Sequence, residues 1–177
     1  MKRVTAAMLM LALTLGALQP AHVSAASDAV KLRMEQMTLR DKITQMLMID
    51  LQSWDENTAD GGGADFTVMN SQTQKFLEEY RFGAVIYFAR NLTDTQQAFE
   101  LTQAIQQAAR QNGGIPMLIC ADQEGGSVYR LATGTALPGN MVLGASGSVD
   151  YAKLAGRIIG SELSALGINA IWHRWWM

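Results

Sequence analysis

The sequence predicts an α/β fold built on a parallel sheet, and three observations lead to this class. Short apolar segments typical of strands alternate along the chain with longer segments whose apolar residues recur at helical spacing. The third strand segment, residues 117–121, is continuously apolar, as expected for a parallel strand covered on both faces. It runs into a cluster of acidic residues and glycines. Ligands bind at the carboxyl ends of such strands, so a candidate site follows residue 121.

The first predicted unit is a helix followed by a strand. Thr38 can cap the helix, and Asp41 can return a hydrogen bond to the cap. Four apolar residues fall at helical spacing: Leu39, Ile43, Met46 and Leu47. Residues 47–51 form the strand. A polar loop follows that either lines the rim of the site or is flexible. It contains Asp55, Glu56, Asp60 and the glycines 61–63.

The next units repeat this order. We predict a helix over 71–80, a strand over 83–88, and a helix that begins with a capping box at 93–96 and runs to about Gln111. The buried side of this helix carries Leu101, Ile105 and Ala108.

The last predicted helix covers residues 148–166, and Gly167 ends it in the left-handed conformation. Ile168 and Asn169 then start a fourth strand. Strands that alternate with helices in this way form a parallel sheet.

The N-terminus has the features of an export signal. Lys2 and Arg3 precede an apolar run over 6–18, and Val23-Ser24-Ala25 supplies the small residues of a cleavage site. The run is shorter than the roughly 20 residues that span a bilayer, so a membrane helix is the weaker interpretation. We expect cleavage after Ala25 and export to the periplasm or the extracellular space.

Charge and composition narrow the function classes. Removal of Lys2 and Arg3 with the signal leaves 12 of 14 basic residues against 16 acidic ones, a net charge of −4. The basic residues are scattered, so no nucleic-acid partner is expected, and no membrane or protein partner is implied after signal removal. The single cysteine, Cys120, is predicted to be a small buried side chain. Neither a metal site nor a cofactor motif is present, so we expect no cofactor.

Residues 122–130 read Asp-Gln-Glu-Gly-Gly-Ser-Val-Tyr-Arg, and further segments accompany them in order. These segments are residues 37–48, 83–88, 137–145 and 162–169. Together they resemble glycoside hydrolase family 3, in its bacterial β-N-acetylhexosaminidase branch, whose signature is Asp-x-Glu-Gly-Gly-x-Val-x-Arg. The resemblance covers the chain from about Val30 to Asn169.

The resemblance implies a (β/α)8 TIM barrel, of which residues 26–169 are expected to form the incomplete N-terminal half, about four β/α units. It also implies hydrolysis of terminal β-linked N-acetylglucosamine from cell-wall-type glycans by a retaining mechanism. In the family, the nucleophilic aspartate and the histidine–aspartate proton donor come from later segments. We therefore expect them beyond Met177, assign no catalytic residue here, and expect this chain to be inactive alone. Alternatives are a non-catalytic remnant, a sugar-binding fragment, or a β-glucosidase or β-xylosidase of the same family.

The resemblance assigns substrate binding to the residues after the third strand. The carboxylate of Asp122 would accept hydrogen bonds from sugar hydroxyls, although it could instead cap the turn or pair with Arg130. Glu124 either contacts substrate or bonds the glycine turn. Arg130 is suited to brace one of these acids, because a guanidinium fork matches a carboxylate. By position alone, Asn140 could order the loop above the barrel and Asp50 could lie on the rim.

The final segment, residues 170–177, departs from the apolar strand with which the family continues. It contains Trp172, Trp175 and Trp176, three of the four tryptophans. Plausible codons for 171–177, translated in a shifted frame, give Leu-Ala-Pro-Val-Val-Asp, which resembles the family strand. We therefore expect a frameshift near Ala170 and an aberrant tail. The alternative is a tryptophan-rich platform for carbohydrate or for a membrane surface.

Overall fold

The computed structural model describes residues 21–54 and 63–172, and the chain divides into two compact units, Met1–Lys42 and Ile43–Met177. Helix α1 (Ala21–Gln36) belongs to the first unit. The predicted export signal lies outside the described residues except for 21–25, which fall in α1. Within the two described ranges, no helix combines the length and the apolar character needed to cross a membrane.

Helix α2 (Leu39–Gln45) begins with the reciprocal cap that the sequence predicts. The Thr38 N–H donates to Asp41 Oδ2 over 3.0 Å, and the Asp41 N–H donates to Thr38 Oγ1 over 3.1 Å. The apolar side chains that indicated the helix are exposed: Leu39, Ile43, Met46 and Leu47. The cap rather than burial therefore fixes where this helix begins.

Four parallel strands form one sheet in the order β1-β2-β3-β4. They are β1 (Met48–Asp50), β2 (Ala84–Tyr87), β3 (Leu118–Ala121) and β4 (Ala170–Ile171). The first three lie inside their predicted ranges, which confirms the α/β class with a parallel sheet. Most of the predicted rim loop, residues 55–62, lies outside the described residues.

Strand β4 contains the first two residues of the segment that was expected to be an aberrant tail. Ala170 pairs with Cys120 and Ile171 with Ala121, and the Trp172 N–H donates to the Ala121 carbonyl over 3.0 Å. These residues therefore continue the sheet. Residues 173–177 lie outside the part of the chain that the structure describes.

The remaining helices connect the strands. They are α3 (Ser71–Tyr80), α4 (Thr95–Arg110), α5 (Asn140–Ala145) and α6 (Val149–Ala165), with 3-10 turns at Ala89–Asn91 and Gln111–Gly113. As predicted, α6 ends at a left-handed Gly167, with φ 77°. The Ile168 N–H then donates to the Leu163 carbonyl over 3.0 Å, which closes the last turn. Helix α5 was not predicted, because six residues are too few for a helical period to be detected.

The cap of α4 lies one residue later than predicted. Asp94 is the N-cap residue, and its Oδ1 accepts the Gln97 N–H over 2.9 Å. Gln97 Oε1 in turn accepts the Thr93 N–H over 2.9 Å, so Gln97 takes the part expected of Gln96. A carboxylate is a stronger acceptor than a hydroxyl near the positive end of a helix, which explains why Asp94 replaces Thr93 as the cap.

The core lies on the face of the sheet that the helices cover. Val85 of β2 and Ile119 of β3 are 0% exposed there. The helices contribute buried residues to the same cluster, among them Leu77, Leu101, Ile105, Ala108 and Leu163, so the predicted buried side of α4 is confirmed. The opposite face is less covered: Leu118 is 55% exposed and Met48 40%. The expectation that the third strand is buried on both faces was therefore wrong for Leu118, because the helices pack on the Ile119 side.

Candidate functional site

The polar segment after β3 makes a tight turn at the carboxyl edge of the sheet. Gly125 and Gly126 both have positive φ, 79° and 59°, as the sequence allowed. A Cβ on Gly125 would lie 2.6 Å from the Pro138 carbonyl oxygen. The Gly126 N–H donates to the Leu137 carbonyl over 2.9 Å, which ties the turn to the chain that follows it. Glycine is therefore required at position 125 by conformation and by space.

Asp122 and Arg130 form an ion pair at this edge. Arg130 Nη2 donates to Asp122 Oδ2 over 2.6 Å, and the side chains of Arg130 and Asp122 are 22% and 18% exposed. The guanidinium also lies over the Phe88 ring, 5.7 Å from its centroid. The expected brace between Arg130 and an acid of the signature is thus present, and Asp122 is the acid.

Two atoms of this pair are buried without a hydrogen-bond partner among the described residues. They are Asp122 Oδ1, an acceptor, and Arg130 Nε, a donor. Buried polar atoms are almost always paired, because leaving one unpaired costs about 1–3 kcal/mol. A hydroxyl group suits both atoms, since it can accept from an N–H and donate to a carboxylate oxygen.

Gln123 holds the backbone of Arg130 in place, and the sequence analysis missed it. Its side chain is 1% exposed, and its Oε1 accepts the Arg130 N–H over 2.6 Å and the Leu131 N–H over 3.4 Å. Asp122 and Glu124 on either side are less buried. The available signal was the alternation of side chains at the end of a strand, which turns Gln123 to the opposite side from both acids.

The loop after Arg130 is fastened to two helices. The Thr135 N–H and hydroxyl donate to the Glu162 carboxylate of α6, over 3.1 Å and 2.5 Å. The Thr133 hydroxyl bonds with that of Thr95 on α4 over 2.7 Å. Tyr129 donates its hydroxyl to the Gly134 carbonyl. Glu162 therefore holds the loop that follows Arg130, and nothing near it in sequence pointed to this role.

The other candidates belong to other features of the same region. Glu124 and Asn140 line a cavity of about 550 Å³ beside α5 and α6, the helix cavity. Its lining also includes Pro138, Leu143, Ala152, Ala155 and Ile159, and it does not include Asp122. Asp50 is exposed at the end of β1, where its Oδ2 accepts the Gln52 Nε2–H over 3.0 Å. The structure therefore brings Asp122 and Arg130 together, whereas Glu124 and Asn140 line the helix cavity and Asp50 lies at the end of β1.

The described residues hold no group of three or more histidine, cysteine or acidic side chains that could bind a metal. Cys120 is buried as predicted, and burial raises the pKa of its thiol.

Comparison with known proteins identifies the family. The model of the glycosyl hydrolase family 3 N-terminal domain matches residues 38–173. β-Hexosaminidase A of Pseudoalteromonas piscicida is 35% identical over 143 residues, which are 75% of this chain and 24% of that protein. β-Hexosaminidase of Bordetella pertussis is 36% identical over 111 residues, 58% of this chain and 30% of that protein. The chain thus spans about a quarter to a third of the length of these relatives.

Solved structures agree with this assignment. A family 3 β-N-acetylglucosaminidase from a Paenibacillus species superposes with a TM-score of 0.65 at 39% identity, over 77% of this chain and 24% of that one. An exo-1,3/1,4-β-glucanase from a Pseudoalteromonas species gives a TM-score of 0.64 at 19% identity, over 83% of this chain and 22% of that one, and supports the fold alone. The predicted fold class, a part of a (β/α)8 barrel, is confirmed. The chain belongs to glycosyl hydrolase family 3, and residues 38–173 form part of that family's N-terminal domain.

Proposed function

We propose that this chain supplies one sugar-binding wall of an exported β-N-acetylhexosaminidase that removes terminal β-linked N-acetylglucosamine from cell-wall-type glycans by a retaining mechanism. The observation that carries the proposal is the Asp122–Arg130 pair at the carboxyl edge of the sheet. It has two buried atoms without a partner among the described residues, Asp122 Oδ1, which can accept from a hydroxyl group, and Arg130 Nε, which can donate to one. The similar β-hexosaminidases support a hexose-type sugar as the source of such hydroxyls, and the similar β-N-acetylglucosaminidase supports an N-acetylated one.

Asp122 is better suited to hold substrate than to attack it. A retaining glycosidase needs two carboxyl groups about 5 Å apart that flank the scissile bond. Asp122 is engaged by Arg130 over 2.6 Å, and Glu124 lines the helix cavity, which Asp122 does not line. Two residues apart on one extended segment, the two acids lie on the same side of the chain rather than flanking a substrate, so we assign neither as nucleophile or proton donor. We infer that the 177-residue chain binds sugar without hydrolysing it.

Titration with N-acetylglucosamine tests the binding role. The chain is expected to bind it saturably, and Asp122→Asn should weaken binding by about tenfold or more, because it removes a charged acceptor without changing side-chain shape. Asp150→Asn, an exposed aspartate in the first turn of α6, is the matched control and should bind as the parent does. Equal affinity of Asp122→Asn and the parent would contradict the proposal.

A parallel titration with glucose separates the proposed specificity from its rival within the family. Stronger binding of N-acetylglucosamine supports the hexosaminidase type, whereas equal or stronger binding of glucose supports a β-glucosidase. A chromogenic N-acetylglucosaminide tests catalysis, and turnover above that of buffer would contradict the inference that this chain is inactive.

We propose that residues 1–25 direct export of the chain. The proposal rests on the basic residues at the start, the apolar run and the small residues before Ala26. Expression in a bacterium with the intact N-terminus should yield a periplasmic or extracellular chain. Mass spectrometry should then show a mature N-terminus at Ala26, and an uncleaved cytoplasmic product would contradict it.

A further inference from the structure

The helix cavity, of about 550 Å³, has a largely apolar lining. Apart from Glu124, Asn140 and Ser148, it is lined by glycines and apolar side chains. Gly144 and Gly156 are exposed, and a Cβ added to either would meet no atom within 4 Å. The helix cavity is therefore an apolar surface, open to solvent, with room for a large side chain.

Helix α6 carries this cavity beyond the carboxyl edge of the sheet. It has 17 residues and is about 25 Å long, whereas β3 has 4 residues and covers about 13 Å. After α6, the Asn169 N–H donates to the Ile119 carbonyl over 3.0 Å, so the helix ends beside the amino-terminal half of β3. Roughly its first half must then project past the carboxyl edge. This half contains Val149, Ala152 and Ala155, which line the cavity.

The chain that follows β4 leaves the sheet at the same edge. The Trp172 N–H donates to the Ala121 carbonyl, so Trp172 lies beside the end of β3. Ala121 is three positions before Glu124, a lining residue of the helix cavity, and three residues span at most about 10 Å. The three steps from Trp172 to Trp175 cover a similar distance of about 10 Å. Trp175 is therefore within reach of the cavity.

The register of β4 indicates which tryptophan faces the cavity. Ile171 pairs with Ala121, and paired residues of parallel strands face the same side of a sheet. Ala121 is 0% exposed and belongs to the core under the helices. Side chains alternate along an extended chain, so an extended continuation of β4 would place Trp175 on the side of α6 and Trp176 on the opposite side.

We propose that the helix cavity is the docking site of the chain's own residues 173–177, the tryptophan segment, and that the indole of Trp175 fills it. An indole has the large apolar surface that this lining can cover. Charge agrees with the assignment, because Arg174 of the segment would approach Glu124 of the lining. Two residues separate Trp172 from Trp175, and so short a link favours the segment of the same chain over that of a second copy.

Solvent access to each indole tests the inference on the 177-residue chain. The indole N–H resonances are assigned by their loss in Trp175→Phe and Trp176→Phe, and a soluble paramagnetic agent is then added to the parent. The Trp175 resonance should broaden several-fold less than it does in urea, whereas the Trp176 resonance should broaden nearly as much as in urea. Trp175→Ala should also lower the melting temperature by more than Trp176→Ala does, because only the first removes a docked side chain.

Filling the cavity provides a second test. Ala152 is exposed and lines the helix cavity, so Ala152→Phe should occupy the space without disturbing the core. In this variant the Trp175 resonance should move and broaden as much as that of Trp176. Lys153→Phe is the matched control, because Lys153 is the next residue of α6, is exposed and does not line the cavity. It should leave Trp175 protected.

Three outcomes would overturn the inference. Trp175 that is as accessible in the parent as in urea would show that it does not dock. Protection that survives Ala152→Phe would place the indole elsewhere. Protection that disappears on dilution would assign the cavity to the segment of a second copy. The inference goes beyond the proposed function, and no sugar is present in these measurements, so either can fail while the other stands.

Discussion

The core under the helices and the turn after β3 are held together by different interactions. Ile119 and Leu163 represent the core, where apolar side chains are excluded from water. The turn at 122–139 places Leu131 in that core, but its polar part is fixed by glycines, by an ion pair and by hydrogen bonds of Gln123 and Glu162. The comparison indicates that a change in the core lowers stability without altering the binding geometry, whereas a change in the turn alters the binding geometry and lowers stability less.

The largest effect on stability is expected in the core. Ile119→Ala should lower the free energy of unfolding by about 3–4 kcal/mol, because a fully buried branched side chain leaves a cavity. The neighbouring Leu118→Ala removes a side chain that is 55% exposed, so it should lower the free energy of unfolding by about 1 kcal/mol or less. Urea unfolding measures both, and equal losses would contradict the assignment of the two faces.

A backbone change in the turn is expected to come next. Gly125→Ala should lower the free energy of unfolding by about 2–3 kcal/mol. The new Cβ would clash with the Pro138 carbonyl oxygen, and alanine disfavours the positive φ of this position. In Gly144→Ala, the added Cβ would have no neighbouring atom within 4 Å. This variant of α5 should leave the free energy of unfolding unchanged or raise it by up to about 1 kcal/mol. Unlike Ile119→Ala, the Gly125 variant should also lose N-acetylglucosamine binding under conditions where it remains folded. Retained affinity would show that the turn does not shape the site.

A side-chain change in the turn is expected to lower the free energy of unfolding less than the backbone change does. It also tests whether the polar turn controls binding. Glu162→Ala removes the acceptor of Thr135 and should lower the free energy of unfolding by about 1 kcal/mol. Its affinity for N-acetylglucosamine should fall several-fold, because the loop that carries Arg130 is released. Glu100→Ala, an exposed glutamate on α4 whose carboxylate accepts from Gln96 of the same helix, should change neither quantity. The same titration and urea series give both values.

The smallest effect at neutral pH is expected at Tyr87, a core residue on the covered face. Burial raises the pKa of its hydroxyl above the ordinary value near 10. The folded state therefore binds this proton more tightly than the unfolded state does. The contribution of Tyr87 to the free energy of unfolding is thus intact below pH 10 and is lost as the pH rises above it. The free energy of unfolding should fall by about 1.4 kcal/mol for each pH unit above about pH 10. Tyr87→Phe should remove this slope in urea unfolding at about pH 9 to 11, and an unchanged slope would contradict it.

The sequence predicted the strands, most helices and the ion pair for identifiable reasons. Apolar runs and caps such as Thr38 with Asp41 are local signals, and they survive in the structure. The glycines at 125 and 126 indicate a sharp turn by themselves, because glycine readily adopts positive φ. The partner of Arg130 was left open between Asp122 and Glu124, because spacing alone does not tell which acid turns toward the guanidinium.

The parts that were missed depend on contacts across the fold. Glu162 lies 27 positions from Thr135, and only the packing of α6 beside the loop brings them together. The exposure of Leu118 depends on which face the helices cover, and a continuous apolar run does not contain that information. The cavity at the carboxyl end of β1 is lined by residues from three segments, among them Asp50, Trp54, Phe76 and Arg90, and only Asp50 had been considered from its position.

The alternation of Asp122, Gln123 and Glu124 has a consequence for how this turn can change over time. Because the amide faces inward and the acids outward, loss or gain of one residue between Ile119 and Gln123 would bury a carboxylate and present an amide to solvent. The spacing from the strand to the signature is therefore constrained together with the residue types.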